Sequence, residues 1–369
     1  MNILYISKLT GNLWAGPNNS VPAQVEAQSK IDNVFWYNLN NVKRQEWVDK
    51  GLPIYNLVDI PSGRLRDLPS PFNKPDIVIV EEVYCHTFSR IIYDIQKADI
   101  PYIVIPRSTL TKQAQKHHHW KKLIGNFIYY NNMLKKAAAI QYLTQNELEE
   151  SGSRWNKTSF IIPNGIEMPC KSKTNFNTNH IVATYIGRLE VYQKGLDLLL
   201  EAINYAKKEL REINFKLNIY GPDQENGKLK IENLINEYNI NDLVSVNDSV
   251  VGLEKERVLL DSDIFIMTSR FEGFSVGLIE ALSYGIPCIV SIGTNLADKI
   301  SKIGAGWKCE CNAKSIKETL IESLQNKNLL CLYSQSAINL SLQYNWSSIA
   351  LSSKKMYEKV LRKNKKIMW

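Results

Sequence analysis

The sequence predicts an α/β protein made of two doubly wound domains in tandem, and three observations lead there. Short runs rich in Ile and Val alternate with helix-length amphipathic stretches along the whole chain, the pattern of parallel strands covered on both faces. A length of 369 residues suits two cores of ordinary size rather than one or three. A polar stretch without periodicity, 167–179, interrupts the alternation and separates a first domain, 1–166, from a second, 180–345. With 44% hydrophobic and 22% charged residues the composition is globular, which excludes disordered and fibrous classes.

In the first domain the apolar runs 3–6, 34–37, 77–80, 102–105, 139–143 and 159–162 are read as strands. Helices are expected between them at about 21–29, 88–97, 120–135 and 145–151, the last stopped by Gly152. After the turn Pro163-Asn164-Gly165 and the linker, strands follow at 181–186, 216–220, 243–246, 264–267 and 287–290. The last segment, 346–366, carries Ile349, Met356, Val360 and Leu361 with a basic outer face and is expected as one or two helices.

No apolar run approaches the roughly 20 residues that a bilayer span requires. The chain enters its first strand without a basic leader or cleavage site, so a cytoplasmic location is expected. Six scattered cysteines make no disulfide framework, and Cys309-x-Cys311 lacks the second ligand pair that a structural zinc needs.

The net charge of +8 is concentrated in two stripes. One holds Arg107, Lys112, Lys116, Lys121, Lys122, Lys135 and Lys136 without an acid, with His117-His118-His119 inside it; the other holds Lys354, Lys355, Lys359, Arg362, Lys363, Lys365 and Lys366. Such stripes suit a phosphate-bearing ligand, an anionic membrane surface or nucleic acid, and each also fits a solvated helix face. The histidine triplet would fan around a helix and is not read as a metal site. Trp120, Leu123, Ile124, Phe127 and Ile128 share one helical face, which either packs on the sheet or lies in a lipid headgroup layer.

The most informative segment is 269–287, a turn and helix that follow the strand 264–267. At the carboxyl edge of a parallel sheet, a helix start is an anion site: Gly273 lets the backbone approach a ligand, and the amides of Phe274, Ser275 and Val276 are free to donate. Glu272 and Glu280 flank that site, and carboxylates accept hydrogen bonds from sugar hydroxyls. Glu280 stands in a helix otherwise apolar on all sides, where a solvated charge has little reason to be. A second constellation is 185–199: Gly187 permits a tight exit from its strand, and Arg188 and Lys194 supply two cations before a helix that begins near Gly195.

Together Gly187-Arg188-Leu189, Lys194-Gly195, Glu272-Gly273-Phe274, Glu280-Ala281 and Ile162-Pro163-Asn164-Gly165-Ile166 resemble the signature of family 4 glycosyltransferases, retaining enzymes of the GT-B fold. The resemblance implies two Rossmann-like domains with a cleft between them, with the helices of 346–369 crossing back to the first. It implies a nucleotide-sugar donor, expected as a UDP-sugar, bound by the second domain without a cofactor or metal. Carried over, Glu272 contacts the donor sugar, Glu280 the ribose, and Arg188 and Lys194 the diphosphate. Thr10 to Val21 resembles the family's glycine loop, with Gly16-Pro17 for the usual Gly-Gly, and Gly16 is taken for the acceptor side. Pro106-Arg107-Ser108-Thr109-Leu110 resembles the Pro-Arg-Gly-x-Leu of bacterial surface-polysaccharide transferases. Arg107 is read as a phosphate or acceptor contact or else a structural cation, while His86, Glu81 and Glu82 end a strand as cleft-facing or structural groups. The Tyr220-Gly221-Pro222-Asp223 turn resembles the family's turn beside the nucleotide.

The expected activity is transfer of a hexose, with retention, to a lipid-linked saccharide in lipopolysaccharide or capsule assembly. The chain would work at the inner face of the cytoplasmic membrane, held peripherally by its basic stripes and binding no nucleic acid. Alternatives are a nucleic-acid-binding protein or a catalytically silent assembly partner. A dinucleotide oxidoreductase is excluded, because neither domain's first strand is followed by Gly-x-Gly-x-x-Gly.

Overall fold

The computed structural model describes the chain except for residues 13–15, 87–88, 117–118, 177–178, 273 and 368–369. It divides into two units, one of Met1–Gly165 with Trp346–Trp369 and one of Ile166–Asn345. The first unit holds the strands β1 (Asn2–Ser7), β2 (Asn33–Asn38), β3 (Ile54–Asn56), β4 (Ile77–Glu81), β5 (Tyr102–Ile105), β6 (Ala139–Tyr142) and β7 (Ser159–Ile161). They form one parallel sheet in the order β3-β2-β1-β4-β5-β6-β7. Leu4, Ile6, Val78 and Val80 face a core that includes Tyr130, Met133 and Leu134. Ile3, Tyr5, Ile77 and Ile79 face the other, with Val21, Val25, Tyr357 and Val360. Burial on both faces is why these strands read as unbroken apolar runs rather than alternating ones. The helix Trp346–Ile367 belongs to this unit and closes its second core.

In the second unit β8 (Ile181–Ile186), β9 (Phe215–Tyr220), β10 (Val244–Asn247), β11 (Ile264–Met267), β12 (Cys288–Ser291) and β13 (Gly306–Cys309) form a parallel sheet in the order β10-β9-β8-β11-β12-β13. The order reverses between β8 and β11, so the loops leaving these two strands diverge and open a crevice at their carboxyl ends.

Four readings change. The strands β3 and β13 were not expected: β3 has three residues, and Gly306-Trp307-Lys308-Cys309 shows no apolar run. The first unit ends at Gly165, and the stretch read as a linker, 167–179, is part of the second unit. There the Lys173 amide donates to Tyr284 O at 2.8 Å, and its ammonium meets Asp263 at 3.0 Å and Leu260 O at 3.1 Å. The helix expected at 120–135 comes in three pieces, His119–Gly125, a π-helical turn Asn126–Tyr130 and Asn131–Lys136. The wider turn rotates the register: Tyr130, Met133 and Leu134 are buried, while Trp120 and Phe127 stay 73% and 87% exposed. The apolar face of the first piece therefore does not pack on the sheet.

Candidate active site

Sequence reasoning singled out the loops after β8 and β11, and these leave the two strands that bound the crevice of the second sheet. The first runs through Gly187, Arg188 and a short turn Val191–Lys194 to the helix Leu196–Glu212. Gly187 is required because a Cβ there would stand 2.6 Å from the Tyr185 hydroxyl, which donates to Arg188 O at 2.9 Å. Gly195 is required twice over: its φ is +62°, and a Cβ would stand 2.1 Å from Thr268 O. That close approach, with Thr268 Oγ1 donating to the Lys194 and Gly195 carbonyls at 3.3 and 3.1 Å, brings the first loop against the end of β11.

The second loop turns at Ser269-Arg270-Phe271-Glu272, where the Glu272 amide donates to Gly293 O at 2.9 Å. It then starts the helix Val276–Ser283, capped by Ser275 Oγ accepting from the Leu278 amide at 3.3 Å. The amides of Phe274, Ser275 and Val276 have no acceptor among the described residues. Gly273 lies outside the described residues, as do Leu13, Trp14 and Ala15 of the first unit's glycine loop and His117-His118 of the triplet.

The charges assemble across the two loops. Lys194 is paired with Glu272, their side chains only 8% and 12% exposed, and Ser269 Oγ donates to the same carboxylate at 3.4 Å. Glu280 is paired with Lys255 of the helix Gly252–Asp261, at 27% and 25% exposure. Arg188 is exposed, donates to Gln224 Oε1 at 2.7 Å and Gln193 Oε1 at 3.4 Å, and has no acidic partner among the described residues. Burial, then the Glu272 charge, drive the Tyr185 pKa far above that of a free phenol, so this hydroxyl stays a neutral donor. The turn after β9 joins the first loop, with the Leu189 amide donating to Pro222 O at 3.0 Å.

Arg270, Asp197 and Lys255, which sequence reasoning passed over, complete the arrangement. Arg270 meets both carboxylate oxygens of Asp197 at 2.7 Å, donates to Tyr192 O at 2.7 Å and lies 4.4 Å over the Tyr192 ring. It thereby ties one loop to the other. Lys255 sits in Glu254-Lys255-Glu256-Arg257, which reads as a solvated helix start. Nothing in spacing marks these three; only the sheet's crossover brings them to the site.

The first unit treats its predicted residues differently. Arg107 stands at φ +49° with its side chain 5% exposed, and its guanidinium donates to Glu81 at 2.7 Å, Ser20 Oγ at 3.0 Å, Asn164 Oδ1 at 3.1 Å and Gln24 Oε1 at 3.1 Å. It acts here as a structural cation, because these partners leave one N–H at most for a ligand. Glu81 is fully buried beneath it; Glu82 is half-buried, its pKa raised by burial despite the nearby Arg107. His86 is 1% exposed, bonded to Glu81 O at 2.8 Å, and burial pushes its pKa down to about 4. Gly16 precedes the helix Pro17–Ser29 at φ −46°, a conformation open to any residue.

Among its described residues the second unit offers a helix start with free amides, an arginine without an acidic partner, and two carboxylates each held by a lysine. Such a set can take a diphosphate at the amides and cations and hydroxyl groups at the carboxylates. Among the described residues no group of three His, Cys, Asp or Glu is placed to hold a metal.

Residues 170–339 match the family described as glycosyl transferases group 1. The chain is 24% identical over 202 residues to a subunit of phosphatidylinositol N-acetylglucosaminyltransferase from Homo sapiens, covering 54% of this chain and 41% of that protein. It is 31% identical over 106 residues to N,N'-diacetylbacillosaminyl-diphospho-undecaprenol alpha-1,3-N-acetylgalactosaminyltransferase of Campylobacter jejuni, covering 28% of each. It spans less than two thirds of the length of the curated relatives it matches. A crystal structure of HepE from Anabaena in complex with UDP-glucose superposes with a TM-score of 0.70 at 12% identity, over 97% of this chain and 100% of that one. The fold is that of the GT-B glycosyltransferases.

Proposed function

We propose that this chain, whose residues 170–339 belong to the group 1 glycosyl transferases, moves a sugar from a nucleotide-sugar donor to a lipid-linked saccharide in the assembly of a surface polysaccharide. The observation that carries the reading is the pair of lysine–carboxylate contacts, Lys194–Glu272 and Lys255–Glu280, set about a capped helix start at the crevice of the second sheet. The donor's diphosphate takes the free amides of Phe274, Ser275 and Val276 together with Arg188 and Lys194. These stabilise the charge that grows as the nucleoside diphosphate leaves, and Glu272 holds the departing sugar. Glu280 accepts from the ribose hydroxyls. The acceptor attacks the face that the diphosphate leaves, so configuration is retained, and the fixed cations replace a metal. A UDP-sugar is the proposed donor; the complex of HepE with UDP-glucose supports that choice.

The names of the human and Campylobacter relatives both point to a lipid-borne acceptor. An exposed apolar face suits the same surface: Trp120, Leu123, Ile124, Phe127 and Ile128 stand in solvent beside the exposed cations Lys112, Lys116 and Lys121. Lys122 is not one of these, since its ammonium is bonded to Ala114 O over the Tyr84 ring. Among the described residues no helix is long and apolar enough to cross a membrane, and peripheral docking on an anionic cytoplasmic leaflet needs none.

The test is calorimetric titration with UDP-, GDP- and dTDP-sugars, followed by NMR of the transferred sugar's anomeric centre. Binding of a UDP-sugar that Glu280→Ala abolishes, with an unchanged anomer in the product and full turnover in excess EDTA, supports the proposal. Failure of all three donor classes to bind, an inverted anomer, or a strict need for Mn or Mg contradicts it.

A further inference from the structure

The first unit has a concave surface that the donor site does not use. It lies at the amino ends of β4 to β7, the edge opposite to the one where a doubly wound sheet takes its ligand, and encloses about 1090 Å³. Its floor is apolar, with Ile100, Pro101 and Leu361, and its walls are charged and sorted by sign. Asp76 and Asp99 stand before β4 and β5; Lys135 and Lys136 end the helix before β6, and Arg154 and Lys157 precede β7. Adjacent strands lie about 4.8 Å apart, which sets the acidic and basic walls roughly 5 to 14 Å from each other.

Several cations elsewhere in the chain are matched, as Arg64 is by Asp94, Arg211 by Asp242 and Lys228 by Asp248. These four are not: all are exposed and none has an ion-pair partner among the described residues. Arg154 is also held in place, 4.3 Å over the ring of the buried Trp155, whose indole N–H is anchored on Ser151 O at 3.0 Å. Its guanidinium is thus oriented while its N–H groups remain uncommitted among the described residues. Four unmatched cations on one wall repel one another, and an anion placed among them removes that repulsion. On the other wall Asp76 has only the Asn2 amide, at 2.7 Å, and Asp99 faces no cation among the described residues.

We propose that this cavity binds a phosphate ester that carries its own amine: the phosphate lies against Lys135, Lys136, Arg154 and Lys157, and the ammonium against Asp76 and Asp99. A phosphate fits the basic wall better than a carboxylate does, because the arginine fork takes two of its oxygens and a lysine a third. A plain phosphate leaves the acidic wall unmatched. The ligand is either a soluble aminoalkyl phosphate or the same group as a phospholipid headgroup, whose glycerol and chains the apolar floor would cover. This site stands apart from the proposed donor reaction, and its test does not depend on turnover.

The experiment titrates the full chain with inorganic phosphate, ethanolamine, O-phosphoethanolamine and monomeric short-chain phosphatidylethanolamine. O-phosphoethanolamine is expected to bind about ten-fold more tightly than inorganic phosphate, one decade of affinity for the second wall. Asp76→Asn with Asp99→Asn removes that advantage and leaves phosphate binding in place; Lys135→Ala, Lys136→Ala and Arg154→Ala together remove both. The substituted side chains are exposed, so parent-like thermal midpoints and parent-like UDP-sugar titration confirm intact units. The lipid binding more tightly than O-phosphoethanolamine identifies a headgroup site; equal affinity identifies a soluble ligand. Equal affinity for phosphate and O-phosphoethanolamine, or binding that survives the triple cation variant, overturns the proposal.

Discussion

Replacing Arg270 by Ala removes the tie between the two loops that carry the donor-side charges. The bond from its own amide to Gln193 O, 2.9 Å, survives the substitution, whereas the contacts to Asp197, the Tyr192 carbonyl and the Tyr192 ring do not. The side chains of Arg270 and Asp197 are 20% and 35% exposed, so their ion pair contributes about 1 kcal/mol rather than the several of a sealed pair. The carbonyl hydrogen bond adds about 1 kcal/mol and the ring contact about 0.5 to 1 kcal/mol. The sum is near 3 kcal/mol. For a unit of this size that lowers the thermal midpoint by roughly 6 to 12 °C. Function falls for a separate reason. Without the side-chain tie the turn Val191–Lys194 is held less firmly against 269–272, so Arg188 and the Lys194–Glu272 pair are less well positioned, and donor affinity and turnover are expected to drop even at temperatures where the variant is fully folded. Arg270→Lys restores the charge without the fork and should recover only part of both. Scanning calorimetry paired with UDP-sugar titration and turnover at 20 °C separates the two effects. A variant with a lowered midpoint but parent-level affinity and turnover would make Arg270 a residue of the fold alone and refute its positioning role.

Arg188→Ala and Lys194→Ala should each lower kcat/KM by an amount equal to roughly 2 to 4 kcal/mol, the range for loss of a preorganised charge-stabilising group; unchanged kinetics would take that residue out of the reaction. Glu280→Ala should abolish donor binding while unfolding stays cooperative, and Glu272→Gln should mainly reduce kcat. His86 gives a pH signature in stability. Its folded pKa of about 4 lies below the ordinary value near 6.5, so its contribution is present above pH 6.5 and is lost as pH falls, by about 2 kcal/mol at pH 5 and about 3 kcal/mol at pH 4. Urea melts should show that loss in the parent and not in His86→Gln; parallel curves would disprove it. Changing Lys112, Lys116 and Lys121 together to Glu should abolish flotation with anionic vesicles but spare donor titration, and Phe127→Ser should weaken flotation as well; flotation untouched by both would leave this face without a lipid role.

How much of this was legible depended on what each feature needs from the rest of the chain. The buried strands, the Ser275-capped helix and the stop before Gly285 are local, and so were visible as runs and punctuation. So was Glu280, since a charge in an apolar helix is conspicuous, while Lys194 was marked with Arg188 as a cation in the loop before Gly195. Arg107 had a similar loop signal, but its surroundings come from Ser20, Gln24, Glu81 and Asn164, distant in sequence, and these turn it inward. The π-helical turn left no composition mark. For that reason the face of Trp120 and Phe127 could not be assigned to core or solvent from spacing alone.

The same doubly wound order puts very different chemistry at the carboxyl edges of the two sheets, and the energetics of the ion pairs decide which edge can receive an anion. In the first unit Arg107 and Glu81 are 5% and 0% exposed. Drawing Arg107 away would strand a buried carboxylate, at about 3 to 5 kcal/mol. An incoming phosphate would have to overcome that before gaining anything. In the second unit Arg188 has no ion pair to give up among the described residues, only exposed hydrogen bonds to Gln224 and Gln193, and the quarter-exposed Lys255–Glu280 pair is worth about 1 kcal/mol, little enough for ribose hydroxyls to share the carboxylate. Lys194–Glu272 lies between, at 8% and 12% exposure, so a diphosphate does best by adding to this pair rather than breaking it. Lys194 then keeps one proton on Glu272 and turns others to the phosphate, while Glu272 keeps lone pairs for a sugar hydroxyl. On the proposed reading one ammonium bridges the leaving group and the sugar-holding carboxylate, so removing either partner should damage turnover more than donor affinity.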